Sequence, residues 1–153
     1  MQREARDITA FGAVAGSANS RAATQRAIDE CSARGGMVRI PAGRFTSGTL
    51  RLKSGVALWL DHGAVLAGSG DTAEYEARRP TDRPPHDGWE CALILAERAG
   101  NVAILGHGTI TGGSLTRPMA FDGDRLAPFR PRLVSFEYCR DVRVEGVTLR
   151  DPD

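Results

Sequence analysis

The chain has 153 residues, with 41% hydrophobic, 25% charged and 6% aromatic content and a formal net charge of +1. These fractions suit one globular domain with a real core and exclude wholesale disorder. No run approaches the roughly 18 apolar residues of a transmembrane helix, and the near-neutral charge leaves no footprint for nucleic acid or an anionic membrane.

Met1 to Arg6 lacks the apolar stretch of a signal peptide, so the chain reads as cytoplasmic as written, or as secreted after processing. Asp7 to Val14 alternates as a short strand would. From Ala18 to Gly36 the pattern becomes helical: Asn19 or Ser20 is the candidate N-cap, Ala23, Ala27, Ile28 and Cys31 recur at helical spacing, and Gly35-Gly36 ends the segment. Beyond Gly36 the period drops to two and stays there. Val38-Arg39-Ile40, Leu50-Arg51-Leu52, Val56 to Leu60, Ala64-Val65-Leu66, Ala92 to Leu95, Val102 to Leu105, Leu133 to Phe136 and Val142-Arg143-Val144 each read as a short strand, followed by glycine or a polar pair. Glycine is abundant, at 18 residues, as tight turns between such strands require.

Three stretches repeat. Val56-Ala57-Leu58, Val102-Ala103-Ile104 and Val142-Arg143-Val144 each lead through a glycine turn (Gly63, Gly106 with Gly108, Gly146) into a second small strand at Ala64-Val65-Leu66, Thr109-Ile110 or Thr148-Leu149. Two proline-rich, charged segments, near 69–90 and 113–131, do not fit a strand. With both set aside, the intervals become one period of roughly 20–30 residues, which is the signature of a solenoid. Strands without intervening helices are not βαβ units, and a sandwich requires no repeated strand–glycine–strand cassette. The expectation is an all-β, right-handed parallel β-helix, with one N-terminal α-helix near 20–34 capping the first coil. Leu58, Ile104 and Val144 would then form an internal aliphatic ladder at about 4.8 Å per rung.

Asp7 to Ala13, Ala27 to Cys31, Gly35 to Gly43, Leu52 to Val56, Gly63 to Ser69, Asn101 to Ile104 with Gly108-Thr109-Ile110, Arg130 to Leu133, and Cys139 to Leu149, taken in order, resemble glycoside hydrolase family 28, the polygalacturonase family. Residues 13–20 depart from that pattern before the helix. The resemblance covers about residues 7–151 and implies that residues 1–153 are the N-terminal part of a single β-helix domain. It implies hydrolysis of galacturonan-like glycosidic bonds with inversion, no cofactor or metal, and an acidic polysaccharide or oligosaccharide (pectin, galacturonan) as partner.

The family's Asn-Thr-Asp, Asp-Asp, Gly-His-Gly and Arg-Ile-Lys blocks all belong downstream of Val147 to Asp151, and no Asn-Thr-Asp or adjacent Asp-Asp occurs in these residues. No catalytic residue is therefore assigned here, and choosing Asp61, Asp87 or Asp122 merely as carboxylates has no basis. Gly106-His107-Gly108 spells the histidine block, but inside a turn where its glycines serve the bend. His62 and His86 read as surface residues. Cys31, Cys91 and Cys139 have neither zinc-ligand nor CxxC spacing and read as small buried hydrophobes.

Substrate-binding candidates fall in the first set-aside segment. Arg78, Arg79 and Arg83 offer guanidiniums for a uronate carboxylate, and Trp89 a ring for a sugar face. Glu97, Arg98, Glu137 and Arg140 read as solvated charges on coil edges, and the role of Arg130-Pro131-Arg132 stays open. Two alternatives remain: a non-catalytic carbohydrate-binding β-helix of the tail-spike or adhesin type, and a calcium-dependent pectate lyase, which would need a carboxylate cluster not evident here. The 153 residues alone are expected to be inactive and, with ladder residues such as Val144, Val147 and Leu149 exposed, prone to self-association.

Overall fold

Short strands with alternating buried and exposed side chains, turned by glycine or by residues with positive φ, wind this chain into successive coils. The computed structural model describes residues 5–17, 19–76, 91–113, 119–122, 125–128 and 130–152. Strand β1 (Ala5–Asp7) is followed by helix α1 (Arg21–Ser32). The first coil holds β2 (Gly36–Ile40), β3 (Gly43–Ser47) and β4 (Leu50–Arg51), and the second β5 (Val56–Leu60), β6 (Ala64–Gly68) and β7 (Ala92–Glu97). The third begins with β8 (Gly100–Gly106) and β9 (Thr109–Thr111). It resumes, after a hairpin of β10 (Met119–Asp122) and β11 (Arg125–Pro128), at β12 (Arg132–Glu137). Strands β13 (Arg140–Glu145) and β14 (Thr148–Arg150) follow.

Equivalent strands stack into three parallel sheets: β1-β2-β5-β8-β13, β3-β6-β9-β14 and β4-β7-β12. Among the described residues the architecture is a parallel β-helix with one α-helix.

The register bears out the predicted ladder. Leu58 pairs with Ile104, and Ile104 with Val144. Val38 adds a rung below Leu58, so the repeat begins one coil earlier than the three aligned cassettes indicate. The second sheet stacks Phe45, Leu66, Ile110 and Leu149 in the same way, and the third stacks Leu50, Ile94 and Val134. Val38, Leu58, Ile104, Leu66, Ile110, Leu50 and Ile94 are fully buried, each stabilising the fold by about 1.5–3 kcal/mol through transfer from water. In β13 and β14 the same rungs are open, with Val144 46% and Leu149 47% exposed. Helix α1 covers the first coil through buried Ala23, Ala27, Ile28 and Cys31.

Local structure departs from expectation at three places. Asp7 to Val14 is not one strand: after β1, the Asp7 carboxylate accepts from the Thr9 N–H at 2.9 Å and starts a 3-10 turn over Ile8–Phe11, which Gly12 closes at φ 99°. A short polar side chain bonding to nearby backbone competes here with sheet pairing. Helix α1 has Ser20 at its N-cap position without a side-chain cap bond, while the Asn19 side chain accepts from the Arg21 N–H at 2.8 Å. The helix ends at Ser32, before the glycine pair; Gly35, at φ 69°, turns the chain into β2. The segment near 113–131 does contain strands, because β10 and β11 pair antiparallel outside the three parallel sheets.

Candidate functional site

The predicted binding residues Arg78, Arg79, Arg83 and Trp89, like His86, lie outside the described residues. The beginning of that segment is described and is tied to the first coil. Buried Thr49 is the knot: its hydroxyl accepts from the Glu76 N–H at 2.9 Å and donates to the Ala92 carbonyl at 2.8 Å, while its own N–H reaches the Glu74 carbonyl at 3.0 Å. The Glu76 carboxylate pairs with Arg21 and Arg51. Tyr75 donates to the Ser69 carbonyl at 2.9 Å.

His107 is exposed and sits in the turn between β8 and β9. Its N–H donates to the Leu60 carbonyl at 2.9 Å, and its ring meets Trp59 edge-on at 6.1 Å. Trp59 donates to Asp61, which also accepts from Arg39 at 2.9 Å. The Asp61 hydrogen bond and charge raise the Arg39 pKa further. Among the described residues no three His, Cys, Asp or Glu side chains gather as a metal site would require, and no helix is long and apolar enough to cross a membrane. Cys31 and Cys91 are buried as expected; Cys139 is only partly so.

Among the described residues, a groove lies where the third sheet turns into the first. Glu97 is in register with Glu137, and Gly100 with Arg140, so the connections 98–99 and 138–139 stack. Both are turned by non-glycine residues in the left-handed region: Arg98 (φ 51°) sits beside Tyr138 (φ 52°), and Asn101 (φ 54°) beside Asp141 (φ 54°). Such backbone costs about 1–2 kcal/mol for an ordinary L-residue and less for Asn or Asp. It is held by Arg98 N–H to Glu137 O at 2.8 Å and Arg140 N–H to Ala99 O at 3.1 Å.

The Arg98 guanidinium lies over the Tyr138 ring, 5.1 Å from its centroid. Arg140 crosses Gly100, where a Cβ would come within 3.0 Å of its Nε. With Ser54, whose hydroxyl accepts from the Gly100 N–H at 3.1 Å, these residues enclose about 540 Å³.

Beside it, sharing Ser54 and Ala99, a second depression of about 470 Å³ contains Arg51, Lys53, Leu95 and Glu97. Its cations are already engaged: Arg51 by Glu76 and Glu97, Lys53 by Asp29 at 2.7 Å. A third, of about 380 Å³ on the second sheet, contains Arg44, which donates to the Gly113 carbonyl, and Arg150, paired with Asp151. Among the described residues Arg98 and Arg140 form no ion pair. Sequence reading placed both as solvated charges on coil edges. The available signal was the offset from Arg98 to Tyr138 and from Asn101 to Asp141, which equals that from Val102 to Val142.

No family model matches the chain. It is 30% identical over 150 residues to the Vitis vinifera protein named "Probable polygalacturonase", covering 91% of this chain and 30% of that protein. It is 40% identical over 101 residues to a polygalacturonase of Ralstonia solanacearum, covering 60% of this chain and 19% of the relative. Among solved structures, the family 28 exopolygalacturonase of Yersinia enterocolitica matches with a TM-score of 0.77 and 25% identity over 98% of this chain and 35% of that one. The chain thus spans about a third or less of the length of these relatives. By sequence and by fold, it is a polygalacturonase-like parallel β-helix of the glycoside hydrolase family 28 kind.

Proposed function

We propose that this chain forms coils of a pectin-degrading glycoside hydrolase that cleaves galacturonan-like bonds with inversion, the catalytic carboxylates being supplied from outside residues 1–153. The observation that carries this reading is the match to a polygalacturonase over 150 residues, on a chain whose strands stack as β-helix coils. Inversion needs a carboxylic acid at the leaving oxygen and a carboxylate activating water on the opposite face, roughly 6.5–9.5 Å apart. The acid must hold its proton near working pH, which burial or a neighbouring anion achieves and a neighbouring cation opposes. Asp29, Asp61, Glu76, Glu145 and Asp151 are each already engaged in an ion pair with a neighbouring cation.

The test is incubation with polygalacturonate of residues 1–153 and, in parallel, of the complete product of the reading frame. The complete product is expected to release reducing ends with inverted anomeric configuration, read by proton NMR, and residues 1–153 to release none. Reducing ends from residues 1–153 alone would overturn the placement of the catalytic groups. Calcium-dependent formation of unsaturated ends would identify a lyase instead, and binding without cleavage by the complete product would identify a carbohydrate-binding β-helix.

A further inference from the structure

We infer that the groove over the 98–99 and 138–139 connections is a subsite for one uronate residue: Arg140 and Arg98 take the carboxylate, and the open side of the Tyr138 ring receives the sugar. The identity of the ligand rests on the galacturonan reading above; the site itself rests on geometry. The two guanidiniums come from neighbouring coils and converge on one depression, and among the described residues neither is neutralised by an ion pair, whereas the cations of the adjoining groove are. Asp141 also lies in the lining and sets a carboxylate beside them.

Both cations are positioned. Arg98 is held against the Tyr138 ring, and Arg140 lies across Gly100, where the missing side chain leaves room for its stem. Planar guanidiniums fixed in this way lose less freedom on gripping a carboxylate than free ones. Tyr138 is 73% exposed although its backbone occupies a disfavoured region, so the fold maintains an unusual conformation to present an aromatic ring to solvent. Strained backbone of this kind gathers at binding sites. Such a ring covers the apolar face of a pyranose, while Ser54 and Asn101 supply neutral polar groups for its hydroxyls.

The experiment is titration of the isotope-labelled 153-residue chain with trigalacturonate and with its methyl-esterified form, followed by proton–nitrogen NMR at low salt. Trigalacturonate is expected to shift the signals of residues 98–101 and 138–141 and to bind at least tenfold more tightly than the ester. Arg98→Ala and Arg140→Ala should each weaken trigalacturonate about tenfold, the scale of one charge-assisted hydrogen bond, and leave the ester within about twofold. Tyr138→Ala should weaken both ligands, and Arg143→Ala, in an exposed pair with Glu145, neither.

The proposal is overturned if the Arg98→Ala/Arg140→Ala double variant, with an unchanged melting temperature, binds trigalacturonate as the parent does, or if the parent binds acid and ester alike. Hydrolysis of polygalacturonate by the complete product, combined with either result, leaves the proposed function standing and removes only this subsite. Failure of the complete product to bind or cleave galacturonan removes the ligand assignment as well.

Discussion

Replacing Gly106 by alanine should destabilise the β-helix severely, while removing the neighbouring His107 side chain should scarcely matter. Gly106 has φ 119°, a conformation that L-side chains disfavour, and it pairs with Leu60 at the end of the β5–β8 ladder. A Cβ there would sit 2.9 Å from both the N and the C of Leu60, and closer still to its carbonyl oxygen. All three are backbone atoms of a central strand, so no rotamer change relieves the overlap. The backbone conformation costs about 1–2 kcal/mol and the forced separation of packed strands about 1–3 kcal/mol. The hydrogen bond from His107 N–H to Leu60 O, about 1 kcal/mol, is strained or lost with them.

A total of about 3–6 kcal/mol is a large share of the 5–15 kcal/mol by which domains are typically stable, and corresponds to a fall in Tm of roughly 6–24 °C. The assay is thermal and urea unfolding followed by far-ultraviolet circular dichroism, with His107→Ala alongside. The latter loses only the edge contact with Trp59, worth about 1 kcal/mol at most. Equal damage from the two substitutions, or a Gly106→Ala midpoint within about 2 °C of the parent, would refute the reasoning.

Leu58→Ala, in the fully buried ladder, should cost about 2–5 kcal/mol in urea unfolding, whereas Val144→Ala on the same ladder, 46% exposed, should cost under about 1 kcal/mol in this chain. Thr49→Val keeps the shape of the side chain but strands the Glu76 N–H and the Ala92 carbonyl. A loss of about 2–3 kcal/mol is expected, and an unchanged midpoint would deny the hydroxyl its role. Asp29 supplies a pH test: burial raises its pKa, but hydrogen bonds from Lys53 and Gln25 and the Lys53 charge outweigh burial and leave it lowered. A carboxylate with a depressed folded-state pKa stabilises above its unfolded value and loses that contribution as pH falls through the folded one. The unfolding midpoint of the parent should therefore approach that of Asp29→Asn as pH is lowered from about 5 to about 3; a gap independent of pH would refute the pairing. With both side chains nearly half exposed, the effect should be small and should shrink in salt.

The coil was legible in the chain because a parallel β-helix writes its architecture locally. Each Val-x-aliphatic, glycine, second-strand cassette holds its own inward side chains, and stacking carries one cassette onto the next without help from distant residues. Hence the sequence alone places Leu58, Ile104 and Val144 on one ladder and marks the glycines around His107 as turn formers. Local reading failed where a side chain competes with the sheet, as Asp7 does in opening a 3-10 turn in place of a longer strand. It also started the repeat one coil late, at Val56, although Val38 stands on the same ladder as Leu58.

The groove belongs to the other category. Arg98, Tyr138 and Arg140 are ordinary surface residues in their own segments. They become neighbours only because β12 returns to β7 in a register that sets Glu137 beside Glu97 and Arg140 over Gly100. That return comes after the hairpin of β10 and β11, whose length no periodicity dictates. The amino-acid pattern alone determined which residues face inward and that the coils stack. Which charges on the outside meet was decided by inter-coil register, because only backbone pairing between coils sets the distances between side chains on different turns.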